Sequence, residues 1–228
     1  MLRLSIAIAL CLVAVACSRQ PVIDEAMQRV AAGGLPVNFS GSWQRSYARD
    51  DSINAALGAA YDQLARSMTD PALRRGGGLA QPSSRDTDAL VALARLAELI
   101  TRPDVLTIVQ DDYEIRVDRK DDYSLLCAFF EGATKATESA FGRETCGWDG
   151  DNLVSHLILP GGLRTTHRFT MSADGLQLRV VTTVDSRESR VPLTIRRFYT
   201  KFDRPPPAFN CIETLSMKRV CSTGELIL

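Results

Sequence analysis

The sequence predicts a mainly β (α+β) protein: an antiparallel up-and-down β-barrel of about nine or ten strands, with two helices inserted after the first strand and a C-terminal disulfide hairpin. Two stretches before residue 102 carry apolar residues at helical spacing. From Val105 onward apolar and polar residues alternate in short segments, and tight-turn residues separate these segments. Short strands joined by tight turns form a meander, and closing a meander into a barrel removes its exposed edges.

The N-terminus predicts a signal peptide over residues 1–16. Arg3 precedes an apolar run, Leu4–Val15, that is too short to span a bilayer and that ends in small residues. Cys17 follows directly, and this placement resembles the lipobox of bacterial lipoproteins, in which the cysteine receives the lipid. Ala14 stands where that family usually has Leu, so cleavage by the ordinary signal peptidase remains the alternative.

The expected cellular location follows from the signal peptide and from Cys17. We expect lipidation of Cys17 and attachment to the periplasmic face of the outer membrane, since Ser18 resembles the residue that follows the cysteine in outer-membrane lipoproteins. The alternative is a soluble periplasmic or secreted protein. The chain has 27 basic and 27 acidic residues and no basic stripe, so nucleic acid is not an expected partner.

The predicted elements after the signal begin with a tether at residues 17–38 that holds one short helix. A single barrel domain spans residues 39–228, and its helical insertion covers about residues 51–101. Asp50, Asp51 and Ser52 are candidate caps for a helix that runs to about Met68. A second helix runs from about Asp86 to Thr101, before Pro103.

The alternating segments after Pro103 predict the strands of the meander. The turn signals between the later strands are Asp149-Gly150, Pro160-Gly161-Gly162 and Asp174-Gly175. The predicted strand segments are VLTIVQ, YEIRVDR, YSLLCAFF, RETCGW, NLVSHLIL, LRTTHRFTM, LQLRVVTTV and PLTIRRFYTKF.

Cysteine positions test the strand register. Once the signal is removed, Cys17 and four other cysteines remain, and four can pair in an oxidising compartment. The midpoint of Cys127 and Cys146 falls in a polar stretch that suits a loop, and the midpoint of Cys211 and Cys221 falls at Ser216. We therefore expect the bridges Cys127–Cys146 and Cys211–Cys221, the second within a C-terminal hairpin, although four cysteines allow three connectivities.

Three short motifs resemble those of lipocalins and fatty-acid-binding proteins. FSGSW at residues 39–43 resembles their Gly-x-Trp opening, GWDG at 147–150 their Trp-Asp-Gly turn, and Arg197-Phe198-Tyr199 the Arg-x-Tyr of their last strand. The order of elements over residues 39–202 is also similar, and small bacterial envelope lipoproteins with lipocalin-like barrels share the pattern. The resemblance implies that Arg197 and Tyr199 bind a ligand carboxylate.

The residues themselves give Arg197 two interpretations. It shares a strand face with Leu193 and Ile195, and a guanidinium facing an apolar interior needs an acceptor. A bound organic acid would supply one; an internal carboxylate, or water at the barrel mouth, is the alternative. Trp43 is expected to plug the barrel bottom rather than to bind ligand.

No residue pattern in the sequence indicates catalysis. His156 and His167 flank the predicted turn and would face each other across a two-residue hairpin, which makes them weak candidates for a metal site without a third ligand. The sequence has neither the Gly-x-Ser-x-Gly motif of a nucleophilic serine nor a phosphate-binding loop. We therefore expect no enzyme activity, no cofactor and no metal.

The expected function is ligand binding. A lipid-anchored envelope protein would hold a small hydrophobic or amphipathic ligand, with a carboxylate as one option, in its barrel. The alternative is an interaction, structural or inhibitor module with a filled barrel and no small ligand. Expected partners are the membrane through the lipid, a small ligand and an envelope protein.

Overall fold

The computed structural model describes residues 35–69, 82–120, 122–130, 133–203, 210–213, 215–216, 218 and 220–222. The signal peptide, Cys17, Ser18 and the predicted tether helix lie outside the described residues. Among the described helices, none combines the length and the apolar character needed to cross a bilayer.

One antiparallel sheet of eleven strands forms the body of the protein, and the predicted mainly β class is confirmed. The strands are β1 Gly41–Arg45, β2 Val105–Gln110, β3 Glu114–Arg119, β4 Leu125–Phe130, β5 Ala133–Thr134, β6 Thr137–Ser139, β7 Gly142–Asp149, β8 Asn152–Ile158, β9 Arg164–Met171, β10 Gln177–Asp185 and β11 Leu193–Phe202. Their order in the sheet is β5-β4-β3-β2-β1-β11-β10-β9-β8-β7-β6. Consecutive strands are therefore neighbours, except that β5 and β6 form the two ends of the sheet, and the first strand, β1, also pairs with the last, β11. A separate hairpin follows, made of β12 Asn210–Ile212 and β13 Val220–Ser222.

The sheet curls until its two ends meet, an arrangement compatible with a calycin-like barrel. Cys127 in β4 is bonded to Cys146 in β7, which confirms this predicted bridge. The two strands are not ladder neighbours in the part of the chain that the structure describes, because the residues between them form the short strands β5 and β6. The barrel therefore has a seam between β4 and β7, held by the disulfide and by a hydrogen bond from Leu126 N to Glu144 Oε1 (3.2 Å).

Two helices follow β1, as the pattern of apolar residues predicts: α1 (Ile53–Thr69) and α2 (Ser84–Ile100). α2 begins two residues before the predicted start because Ser83 caps it. Ser83 Oγ accepts the Asp86 N–H, and the Asp86 carboxylate accepts the Ser83 N–H, which together form a capping box.

The aspartates expected to cap the first helix bind to β11. Asp50 accepts the backbone N–H of Phe198 (2.9 Å), and Asp51 accepts that of Arg196 (3.0 Å). β1 pairs with β11 only as far as Arg45, so these carboxylates bind N–H groups beyond the end of that ladder. They fix the start of the helical insertion to the last strand.

Two groups of buried apolar residues fill different parts of the barrel. The helix cluster joins α1 and α2 to the inner face of β10 and β11; it comprises Ala60, Leu64, Leu90, Leu93, Ala94, Ala97, Val184, Val191, Leu193 and Ile195. The tryptophan cluster fills the barrel around two indole rings; its members include Phe39, Trp43, Leu106, Ile108, Ile115, Val117, Trp148, Leu153, Phe169, Leu178 and Tyr199. Along β11, Arg197 lies between the two clusters.

Candidate ligand cavity

A cavity of about 630 Å³ lies at the seam side of the barrel. Its walls come from α2, from the inner faces of β3, β4, β7, β8 and β9, and from the hairpin after β12. Its apolar lining is Leu96, Ile100, Leu125, Phe141, Leu157, Leu159 and Leu215. Small-ligand pockets typically measure about 300–1,000 Å³, so the cavity has room for an organic ligand.

Exposed aromatic residues mark the opening of this cavity. Phe141 and Tyr123 both line it, yet they are 66% and 49% exposed. Phe141 lies in the turn between β6 and β7, and Tyr123 lies between β3 and β4. The opening therefore lies beside the seam, where these two turns meet.

Glu144 from β7 and His167 from β9 are buried, Arg119 from β3 is partly buried, and all three side chains line the cavity. Strand register places them there. Arg119 continues the inner face of Val117, and Glu144 precedes Cys146 on the same side of β7.

Glu144 is 5% exposed and has only one hydrogen-bond partner among the described residues, the backbone N–H of Leu126. No described cation lies within salt-bridge distance of it. Burial raises the pKa of Glu144, while the Leu126 N–H and the charge of Arg119 act in the opposite direction. The carboxyl therefore has few hydrogen-bond donors among the described residues.

Arg119, by contrast, already has its partners. Its Nε donates to the carbonyl oxygen of Tyr123 (2.7 Å), and its Nη1 lies 3.0 Å from Asp122 Oδ2. Burial lowers the pKa of Arg119, and the charges of Asp122 and Glu144 oppose that effect. Asp122 thus neutralises this guanidinium within the cavity wall.

His167 is neutral at ordinary pH. It is 4% exposed, and burial, with a smaller effect from Arg119, lowers its pKa to about 3. Its Nδ1 shares a hydrogen bond with Thr182 Oγ1 (3.0 Å), which fixes the ring. His167 therefore adds a polar but uncharged atom to the cavity wall.

The prediction that His156 and His167 face each other is wrong, because the strand register differs from the expected one by one residue. The register joins His156 to Thr166 and Ser155 to His167, because five residues, 159–163, connect β8 to β9 instead of two. A shift of one residue places the two imidazoles on opposite faces of the sheet. The described residues contain no group of three or more His, Cys, Asp or Glu side chains arranged to hold a metal ion.

The predicted anchors Arg197 and Tyr199 lie deeper in the barrel, beside a void of about 20 Å³. Arg197 Nη1 donates to the carbonyl oxygen of Asp51 (2.6 Å), while its Nε is buried without a hydrogen-bond partner. The Tyr199 hydroxyl donates to Pro103 O (3.1 Å), and burial raises the pKa of Tyr199 to about 12. A void of this size holds about one water molecule. Whether either residue also binds a ligand stays a prediction.

A shared wall separates this void from the large cavity. Ile100, Arg119, Leu125 and His167 line both spaces. Glu144 and the predicted anchors therefore lie on opposite sides of one layer of side chains, to which Arg119 and His167 belong.

Trp43 is fully buried in the tryptophan cluster, and its Nε1 donates to Phe39 O (3.0 Å). Trp148 stacks on Phe39 with ring centroids 5.7 Å apart. Neither indole lines the cavity. Cys211 and Cys221 are direct partners in the β12–β13 register, and their side chains lie outside the described residues, so this bridge stays a prediction.

Arg119, Glu144 and Asp122 were not predicted as site residues from the sequence. Alternation gave one available signal, since Arg119 continues the inward face of Ile115 and Val117. The approach of β7 to β3 and β4 depends on how the sheet curls, and no local pattern encodes it. No protein-family model, curated protein sequence or solved structure matches this chain.

Proposed function

We propose that this protein binds a small hydrophobic or amphipathic ligand in the cavity at the seam, and that it does so at the cell envelope, attached through a lipid on Cys17. The observation that carries the proposal is a 630 Å³ hollow with a mainly apolar lining and a few buried polar groups. That combination is typical of small-molecule sites, in which apolar contact gives affinity and a few polar groups orient the ligand. The likeness to lipocalins and fatty-acid-binding proteins agrees with this proposal in the order of the helices and strands.

The alternative, an interaction or inhibitor module, has less support. It requires a filled barrel, whereas a cavity of about 630 Å³ lies beside the two packed clusters. The exposed Phe141 and Tyr123 would suit a protein partner, but both also line the cavity, so ligand access explains their position equally well.

Calorimetric titration of the purified mature chain with dodecanol tests the proposal. Leu157 lines the cavity, so Leu157→Trp fills space that the ligand needs, whereas Leu99 is 58% exposed and does not line it. We expect wild type and Leu99→Trp to bind equally, and Leu157→Trp to lose at least about tenfold in affinity. Equal binding by a folded Leu157→Trp, or no binding by wild type, would refute the proposal.

The lipid anchor has a separate test. A Cys17→Ala protein should leave the membrane fraction of cells for the soluble fraction, because one lipidation site would be lost. Continued partition with membranes would count against lipidation and would leave the cavity proposal unaffected.

A further inference from the structure

We infer that the cavity selects an amphipathic ligand with a hydrogen-bond-donating, cationic head, such as an alkylammonium, and that Glu144 is the residue that binds this head. This inference rests on the proposed function, and it names the class of ligand that the cavity takes. It differs from the expectation of a carboxylate ligand drawn from Arg197.

The first argument is the balance of charge in the cavity wall. Its described lining contains two cationic side chains, Arg119 and Lys218, and three carboxyl side chains, Asp122, Glu144 and Glu213. The most buried of these five is Glu144. A ligand carboxylate would enter a site that already carries an excess of negative charge, whereas an ammonium would neutralise it.

The second argument is the state of each charged partner. Arg119 is the less exposed of the two cationic side chains in the described wall, and Asp122 and the Tyr123 carbonyl already bind it. Glu144 receives one backbone N–H, although a carboxylate has two oxygens that accept hydrogen bonds. The group in the cavity wall that can still form hydrogen bonds is therefore an acceptor, the Glu144 carboxylate. A ligand with hydrogen-bond donors can bind to it.

The third argument is position. Register places Glu144 directly opposite Leu157 and Leu157 opposite Thr165, so the carboxyl stands at the edge of an apolar wall. A ligand whose ammonium meets Glu144 can lay its alkyl chain against Leu157 and Leu159. This geometry suits a molecule with one polar end and one apolar tail.

The experiment compares three probes of equal chain length by calorimetry near pH 7: dodecylammonium, dodecanol and dodecanoate, each below its micelle concentration. The protein variants are wild type, Glu144→Gln and Glu138→Gln. The amide introduced by Glu144→Gln keeps an oxygen that accepts the Leu126 N–H but carries no charge. Glu138 is an exposed carboxyl on β6 that does not line the cavity, so Glu138→Gln is the matched control.

Wild type and Glu138→Gln should bind dodecylammonium about tenfold or more tightly than dodecanoate, as expected for a hydrogen bond to a charged group. Glu144→Gln should reduce that ratio to near one and leave dodecanol affinity unchanged. A preference of wild type for dodecanoate, or a preference for dodecylammonium that persists in Glu144→Gln, overturns the inference. If dodecanol still binds in either case, the proposed function stands. Failure of all three probes to bind wild type overturns both.

A second measurement needs no variant. Arg119 and Asp122 from β3 and its turn, His167 from β9, and Glu213 and Lys218 from the hairpin segment share the cavity with Glu144. As the pH falls from 8 toward 4, protonation of Glu144 should weaken dodecylammonium binding and spare dodecanol. Equal pH dependence for the two probes would contradict the role of Glu144.

Discussion

Two arginines on the inner face of the same sheet, Arg197 and Arg119, differ in their surroundings. Arg197 lies between two packed clusters, next to a void that holds about one water molecule, and it binds a backbone carbonyl of its own chain. Arg119 faces a cavity of about 630 Å³ and is paired with Asp122. An inward arginine in the sequence therefore does not locate a ligand site: the packing around it does, and here the hollow lies on the other side of the shared wall.

The comparison divides the barrel into a filled end, around the tryptophan cluster, and a hollow end, around Glu144. A filled end contributes stability through close packing, and a hollow end gives up some of that stability because its side chains have fewer packing partners. Each prediction below tests this division.

The largest expected effect is on the free energy of unfolding. Trp43→Ala removes a fully buried ring from the filled end and should cost about 3–5 kcal/mol. Leu157→Ala removes a side chain that already faces a hollow and should cost less than about 1.5 kcal/mol. Urea denaturation of both proteins measures the difference, and equal losses would contradict a division into filled and hollow ends.

The next effect concerns His167 in the shared wall. Its pKa of about 3 lies below the usual 6.5, so the unfolded state takes up a proton first as the pH falls. Stability should therefore decline from pH 6.5 downward until about pH 3, and His167 should account for about 1.6 kcal/mol of the loss between pH 6.5 and 5. The free energy of unfolding of His167→Gln, measured by urea denaturation at the two pH values, should therefore fall less than that of wild type.

The matched control for this measurement is His156→Gln. Burial lowers the pKa of His156 as well, but His156 is only half-buried, so its substitution should flatten the slope less. Glu144, whose pKa is raised, acts in the opposite direction in every one of these proteins and cancels in the differences. An unchanged slope in His167→Gln would show that His167 is hydrated rather than sealed in the wall.

The smallest expected effect is that of Arg197→Met. The guanidinium has a buried Nε without a partner, and a flexible apolar side chain of similar size can fill its place. We expect the free energy of unfolding to change by about 1 kcal/mol or less and dodecanol affinity to stay the same in calorimetry. A large loss of ligand affinity in a folded Arg197→Met would instead indicate that the ligand binds beside the predicted anchors Arg197 and Tyr199.

Much of the fold could be predicted because its signals are local. Alternation from Val105 onward gave the strands, and apolar stripes gave both helices. The bridge Cys127–Cys146 was predicted correctly, but the single loop expected between the two cysteines contains the strands β5 and β6, and β4 and β7 are not ladder neighbours. The residue-level details that failed depend on turn length: five residues instead of two after Ile158 moved His156 away from His167.

The candidate site was less predictable because it is assembled across the seam. Arg119 and Glu144 lie on strands that are not ladder neighbours, and their approach depends on the curl of the whole sheet. Alternation along β11 correctly placed Arg197 on the inner face. It carried no information on whether the space beside that arginine is filled, since this depends on side chains from α2, β2 and β9 as well.

The most direct measurement is the crystal structure of the mature protein soaked with a bromine-tipped dodecanol, with anomalous scattering used to locate the bromine. The account predicts an anomalous peak inside the cavity lined by Leu157, Leu159 and Glu144. A peak beside Arg197 and Tyr199, or bromine bound only at the outer surface, would contradict it.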